Sequence, residues 1–461
     1  MRHMRHLPQC FVLLCAAAIG SSAQTFTTLL NFDGADGTET LYMTLVQGVD
    51  GNFYGTTGFG GANGDGTIYK VTPGGTLTTL YSFDGTHGVE PLAGLLEGTG
   101  GNFYGTTYLG GTHNRGTIFE ITPEGTLTTM RSFNYADGAA PFAGLVQAPN
   151  GDFYGTTSGG GANNAGTLFK ITPQGALTTL YTFSYGPSTN GGNPFGLVQA
   201  ANGDFYGTTY QGGVSGSGTI FKFTPGGSLT RLYSFAGTDG AYPYAGLLQA
   251  SDGDFYGTTA AGGTDNSCEF GCGTVFKVTS SGNLTTLHNF KGSDGATPEA
   301  VLTQATDGNF YGTTSAGGTD NSGTIFKITP SGHLTTLHSF DSTDGANPHG
   351  GLLQSTDGSF YGATYEGGAN NYGTVFKLSV GLGPFVKILS TYGNAGATVK
   401  ILGTDLTGAT QVSFNGTPSV FTVVQASEIT ATVPAGATTG KVQVTTPGGT
   451  LSSNVVFRVT P

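Results

Sequence analysis

The chain has 461 residues, 82 of them glycine and only 10% charged, with a formal net charge of −12 at pH 7. Its 16 Lys and Arg against 28 Asp and Glu leave no clustered basic surface, which excludes nucleic acid as a partner, because affinity for phosphate depends on such clusters. So much glycine would suit low complexity, but the glycines recur in register with hydrophobic runs, so they are read as turns and tight sheet packing rather than disorder.

In chain order the first element is a secretory signal over 1–23. Arg2 and Arg5 supply its basic start, Cys10 to Ile19 its apolar stretch, and Ser21-Ser22-Ala23 its cleavage site, so Gln24 is the expected mature start. That stretch is too short for a membrane span, and no later run reaches about 18 apolar residues. The mature chain is thus expected to lack a transmembrane segment and to work outside the cytoplasm, secreted or at the cell surface.

A Phe-Tyr-Gly block then recurs seven times, with Phe at 53, 103, 153, 205, 255, 310 and 360, at spacings of 50, 50, 52, 50, 55 and 50 residues. Such a period suits a unit of four short strands, and seven copies predict an all-β fold, a seven-bladed β-propeller over 24–383. In the period starting at Pro243 the four runs are 245–250, 254–259, 273–278 and 284–290, each bounded by turn residues. The first two are joined by Asp-Gly or Asn-Gly steps in most units, at Asp50, Asn150, Asn202, Asp252, Asp307 and Asp357, residues suited to the positive φ of a hairpin. The glycine inside each block weakens an isolated strand, so backbone or an aromatic ring from the adjoining blade is expected close to it. The fourth-strand pattern first appears at 26–32, ahead of any complete unit, and none follows 373–378. The N-terminal strand is therefore expected to complete the last blade and close the ring.

After Leu382-Gly383-Pro384 the period is lost. Residues 384–461 hold short Val-, Ile- and Thr-rich runs separated by Gly, Asn and Pro turns, which predicts a small immunoglobulin-like β-sandwich. Its Lys387, Lys400, Lys441 and Arg458 outnumber Asp405 and Glu428, implying a weak, salt-screened attraction to the acidic propeller.

The repeats, with PxxGLxQxxDGNFYGTTxxGG and GTIFKITPxGxLTTLxSF as their pattern over 26–378, resemble the choice-of-anchor GloVer tandem-repeat family. The run GATVKILGTDLTGATQVSFNGTPS with ITATVPAGATTGKVQVTTPGG resembles an IPT/TIG domain. The first resemblance implies an exported bacterial protein, often surface-attached through a C-terminal anchor. Val459-Thr460-Pro461 offers no apolar anchor, and the family brings no established activity. The second implies a spacer or protein-contact module.

No catalytic motif is evident. Cys268 and Cys272, in the one unit lengthened by five residues, are expected to form a local disulfide, as suits an extracytoplasmic chain. The recurrent lysines, Lys70 to Lys377, and the tyrosines of the repeated block are expected to be structural. The loops joining blades and those between second and third strands are expected on one face, which collects Asp36, Asp137, Asp239, Asp294 and Asp344 with Asp265 and Asp320. These are read first as turn formers and second as an oxygen-rich ring for a hard cation such as calcium, or for a sugar; no other cofactor is expected. Tyr108, Tyr210 and Tyr365 stand in as stacking residues in a chain without Trp. Glu90, Glu299, His87 and His349 are the departures from symmetry that an active site would need. The resulting expectation is a non-enzymatic binding or scaffold protein for an extracellular glycan or protein, the alternative being a polysaccharide-acting hydrolase or lyase.

Overall fold

The computed structural model describes residues 24–460, so the signal expected over 1–23 lies outside the described residues. Each repeat forms one antiparallel four-stranded sheet with its strands in chain order. In the first unit these are Val46–Gln47, Phe53–Thr57, Thr67–Val71 and Leu77–Ser82. Seven such sheets are present among the described residues, which makes the domain a seven-bladed propeller. In the seventh, Thr25–Asn31 is the outermost strand, with Phe26 opposite Leu378 and Asn31 opposite Thr374. The N-terminal segment thus covers an edge that would otherwise offer its backbone groups to another chain.

The repeated block explains how the blades adhere. The tyrosine of each block packs on the phenylalanine of the next, from Tyr54 on Phe103 at 4.1 Å to Tyr311 on Phe360 at 4.2 Å, and Tyr361 meets Phe53 at 4.1 Å to close the ring. Both rings of each pair lie in the cores between blades, where aromatic pairing adds about 0.5–1.5 kcal/mol beyond burial. The tyrosines are therefore core residues, as expected. In four blades the hydroxyl reaches the hairpin aspartate (Tyr54, Tyr256, Tyr311 and Tyr361), as Tyr256 does Asp252 at 2.8 Å with Lys277 completing the group at 3.0 Å, whereas Tyr104 donates to Glu120.

One expectation about packing needs correction. The aromatic beside each block glycine comes from the next strand of the same blade, not from the adjoining blade: a Cβ on Gly155 would lie 2.6 Å from the Phe169 ring and 2.9 Å from Leu145, and Gly155 is the cross-strand partner of Phe169. The cross-strand ring lies over the glycine because a side chain there would displace it. Glycines also let the innermost segments of neighbouring blades touch around the axis. A Cβ on Gly196 would lie 3.2 Å from the Gly246 backbone, and one on Gly350 would collide with the Met43 carbonyl.

The C-terminal domain is a two-sheet sandwich, one sheet of four strands and one of five, over a core that includes Val386, Ile401, Val412, Phe414, Val442 and Phe457. It docks on the hairpins between first and second strands. Ser427 donates to the Val49 carbonyl at 2.6 Å, Arg458 to Ala201 at 2.8 Å, and Thr404 meets Thr356 at 2.9 Å. Those hairpins belong to blades 1, 4 and 7, on opposite sides of the ring, so the sandwich lies across the axis and covers that face. No helix among the described residues is long and apolar enough to cross a membrane.

Candidate ligand site at the uncovered mouth

The opposite face carries the inter-blade segments and the loops between second and third strands. They are joined by short bridges such as Thr38 with Phe59, Val89 with Leu109 and Ala346 with Glu366, which places both loop sets together as expected. The aspartates that sequence reasoning singled out there are engaged by their own loops. Oδ1 of Asp36, Asp137, Asp239, Asp294 and Asp344 accepts the backbone N–H three residues earlier, at 2.8 to 3.3 Å. In four of them Oδ2 meets a side chain of the preceding strand: Arg131, Tyr233, His288 and His338 respectively. Burial opposes ionisation of Asp294, but the hydrogen bonds from His288 and the Lys291 N–H outweigh it and hold the carboxyl below its usual range. Asp265 caps Ser267, and Asp320 is exposed. Among the described residues no three His, Cys, Asp or Glu side chains converge to hold a metal ion.

The residues that do converge lie one step after the inter-blade prolines. This position holds Phe142, Phe195, Tyr244, Glu299 and His349 in blades 3 to 7, with Tyr42 of blade 1 beside them. Tyr42 lies 5.0 Å from Phe142 and 5.9 Å from Tyr244, and Phe195 lies 5.2 Å from both Phe142 and Tyr244. Side chains from opposite sides of the ring thus meet over the axis. Where the aromatic run breaks, His349 Nδ1 lies 2.5 Å from Glu299 Oε2, with the Glu299 side chain 9% exposed. Tyr42 faces the same histidine at 5.6 Å. Tyr365 packs against His349 and donates to Glu39 at 2.9 Å. Burial, then neighbouring carboxylate and phenol groups, push the Tyr42 hydroxyl up, and burial with the Tyr210 contact does the same for Tyr244. Both hydroxyls stay neutral donors.

Beside this crown opens a cavity of about 510 Å³ walled by Tyr210, Tyr242, Tyr244 and Glu299 on one side and by the loop around Phe270 on the other. That loop is the five-residue extension of the fifth unit. Cys268 and Cys272 are bonded within it, with Cα atoms 5.2 Å apart, as the sequence suggested. Phe270, 73% exposed, stands at the rim.

Of the residues noted from sequence, Tyr210 lines the cavity, Tyr108 packs against Phe142, and Glu299 and His349 pair. His87 instead pairs with Asp84 on an exposed loop. Glu90 is half-buried, and burial with the charges of Glu39 and Asp65 pushes its carboxyl up. Phe270 and the aromatic column after proline were missed; the signal was there in the column itself, which changes from aromatic to charged between blades 5 and 6.

The Gloeobacter/Verrucomicrobia repeat matches this chain over residues 18–196 and 184–376, and the IPT/TIG domain over 384–459. Comparison with curated proteins gives no match. Solved structures with a similar arrangement include a gluconolactonase from Xanthomonas campestris (14% identity, 65% of this chain and 88% of that one, TM-score 0.40). Others are a 6-phosphogluconolactonase, so described without proof of activity, from Bacteroides fragilis (16%, 66% and 85%, 0.45) and the extracellular domain of a one-component system from B. thetaiotaomicron (13%, 95% and 59%, 0.49). Likeness at this level carries no argument about chemistry.

Proposed function

This chain belongs to the Gloeobacter/Verrucomicrobia repeat family and ends in an IPT/TIG domain, and we propose that it is an exported bacterial binding protein that holds a glycan at the uncovered mouth of its propeller. The observation that carries this reading is Phe270, a large apolar side chain 73% exposed at the rim of an aromatic-walled cavity. The repeat does not need it for packing, since it stands in an extension that other units lack. A disulfide-tied loop holds such a ring in place before a ligand arrives, which lowers the entropy lost on binding. Tyrosine walls offer faces for the C–H side of a sugar ring and hydroxyls for its polar edge, while Glu299 accepts hydrogen bonds. The cavity volume lies within the usual range for small-ligand sites. Export rests on the signal-like start and on a disulfide suited to an oxidising compartment.

The test is a glycan array probed with the mature protein, its Phe270→Ala variant and its Tyr210→Ala variant. Selective retention that falls about tenfold or more in both variants supports the reading. No retention, or retention indifferent to both changes, contradicts it.

A second reading is favoured by the Glu299–His349 pair. A carboxylate and an imidazole in contact at the mouth form a couple able to give and take a proton, as general acid–base cleavage of a polysaccharide would require. Scoring the same array for released products separates the readings, because a binding protein leaves its ligands intact.

A further inference from the structure

We propose that the cavity beside Glu299 selects sugars bearing a free, protonated amino group, a hexosamine rather than a neutral or uronic sugar. This rests on the glycan reading above and specifies its ligand. The charged side chains lining the cavity are Glu269 and Glu299, and no Lys or Arg is among them. Glu39 adds a further carboxylate to the crown, bonded to the Tyr365 that packs on His349, with His349 as the basic group. Glu299 Oε2 is paired with His349, whereas Oε1 has no hydrogen-bond partner among the described residues. Its side chain is 9% exposed, and Oε1 is not among the buried atoms left without a partner, so this is the oxygen that stays reachable and free to accept from a ligand in the cavity.

An ammonium group supplies three N–H donors for that oxygen. The rings of Tyr210, Tyr242 and Tyr244 lie around the same space, and Tyr210 and Tyr244 are 4.6 Å apart. Aromatic faces attract a cation through their quadrupole, most strongly where water is excluded. A uronic acid would set its carboxylate against Glu269 and Glu299 with no Lys or Arg in the lining to meet it, which is a penalty against the wrong ligand. An N-acetylated amine keeps one N–H but loses the charge.

The experiment is calorimetric titration of the mature protein with four probes: glucosamine oligomers, N-acetylglucosamine oligomers of equal length, oligogalacturonate, and tetramethylammonium. It is run where the glucosamine amine is protonated and repeated with Glu299→Gln, with circular dichroism melting to establish that the variant is folded. Glucosamine oligomers should bind about tenfold or more tightly than the acetylated series, and Glu299→Gln should remove most of that difference. Equal affinity for the two series, or tighter binding of oligogalacturonate, overturns the amine specificity and leaves the glycan reading standing. Tetramethylammonium binding as tightly as the oligomers shows that charge alone is read and overturns the hexosamine assignment. No binding by any probe defeats this inference, and the glycan array then decides separately whether the glycan reading falls too.

Discussion

Glu97 shows how much one atom matters in a repeated frame. Its counterparts in the other blades are Gln47, Gln147, Gln199, Gln249, Gln304 and Gln354. Gln249 typifies them: its carbonyl oxygen accepts the Ala201 N–H of the preceding blade at 2.9 Å and its amide donates to the Gly253 carbonyl at 3.2 Å. Glu97 keeps the first bond, to Val49 at 3.1 Å, but its Oε2 is buried without a partner. Burial pushes its carboxyl up to about 7, only partly offset by Lys387 and Lys400 of the C-terminal domain, and enclosure pushes the Lys387 ammonium down. A carboxyl raised in the folded state contributes stability that is present below its unfolded value, near 4.5, and is lost as pH rises through about 7. Urea melts between those limits should therefore show stability falling with pH, and Glu97→Gln should flatten the curve; an unchanged slope contradicts this. Gly155→Ala is expected to cost about 1–3 kcal/mol in the same melts, because the ring of Phe169 and the side chain of Leu145 are held in buried cores and cannot retreat.

Among elements, the N-terminal strand and the disulfide loop do work that the repeats cannot. Phe26 stacks on His338 at 3.8 Å and joins the core between blades 6 and 7. Burial pushes the His338 imidazole down, against the pull of Asp344. A depressed histidine contributes stability present above its unfolded value, 6.5, and lost as pH falls through the folded one. Acidification below that value should loosen the strand, seen as faster amide exchange over 25–31, and His338→Phe should suppress the effect. Loss of Cys268–Cys272 by double serine substitution is expected to cost about 2 kcal/mol and to weaken any ligand that depends on Phe270, measured by melting and by array retention. Both elements could be read from sequence, one from a fourth-strand pattern displaced to the wrong end, the other from a length anomaly. What the loop presents could not, since a lone Phe in CEFGC carries no sign of the cavity beside it.

At the scale of the whole molecule, the fold follows from repetition: one block of aromatic, aromatic and glycine sets the contact between blades seven times, and a ring is the arrangement that leaves no blade face bare. That much was readable because each unit states it independently. The site was less readable for the same reason. Residues repeated in most units, such as the loop aspartates, serve the unit, whereas function gathers where units differ, and differences acquire meaning only once the ring brings positions about 50 residues apart in sequence face to face. Glu299 and His349 were visible as departures, but their pairing was not. The C-terminal sandwich, expected only to attract the propeller weakly, lies across one mouth and leaves the other open. A crystal of the mature protein soaked with a glycan retained on the array tests this account. It predicts density for a sugar ring against Phe270 and Tyr244 at the open mouth. Density confined to the outer blade edges or to the sandwich would contradict it.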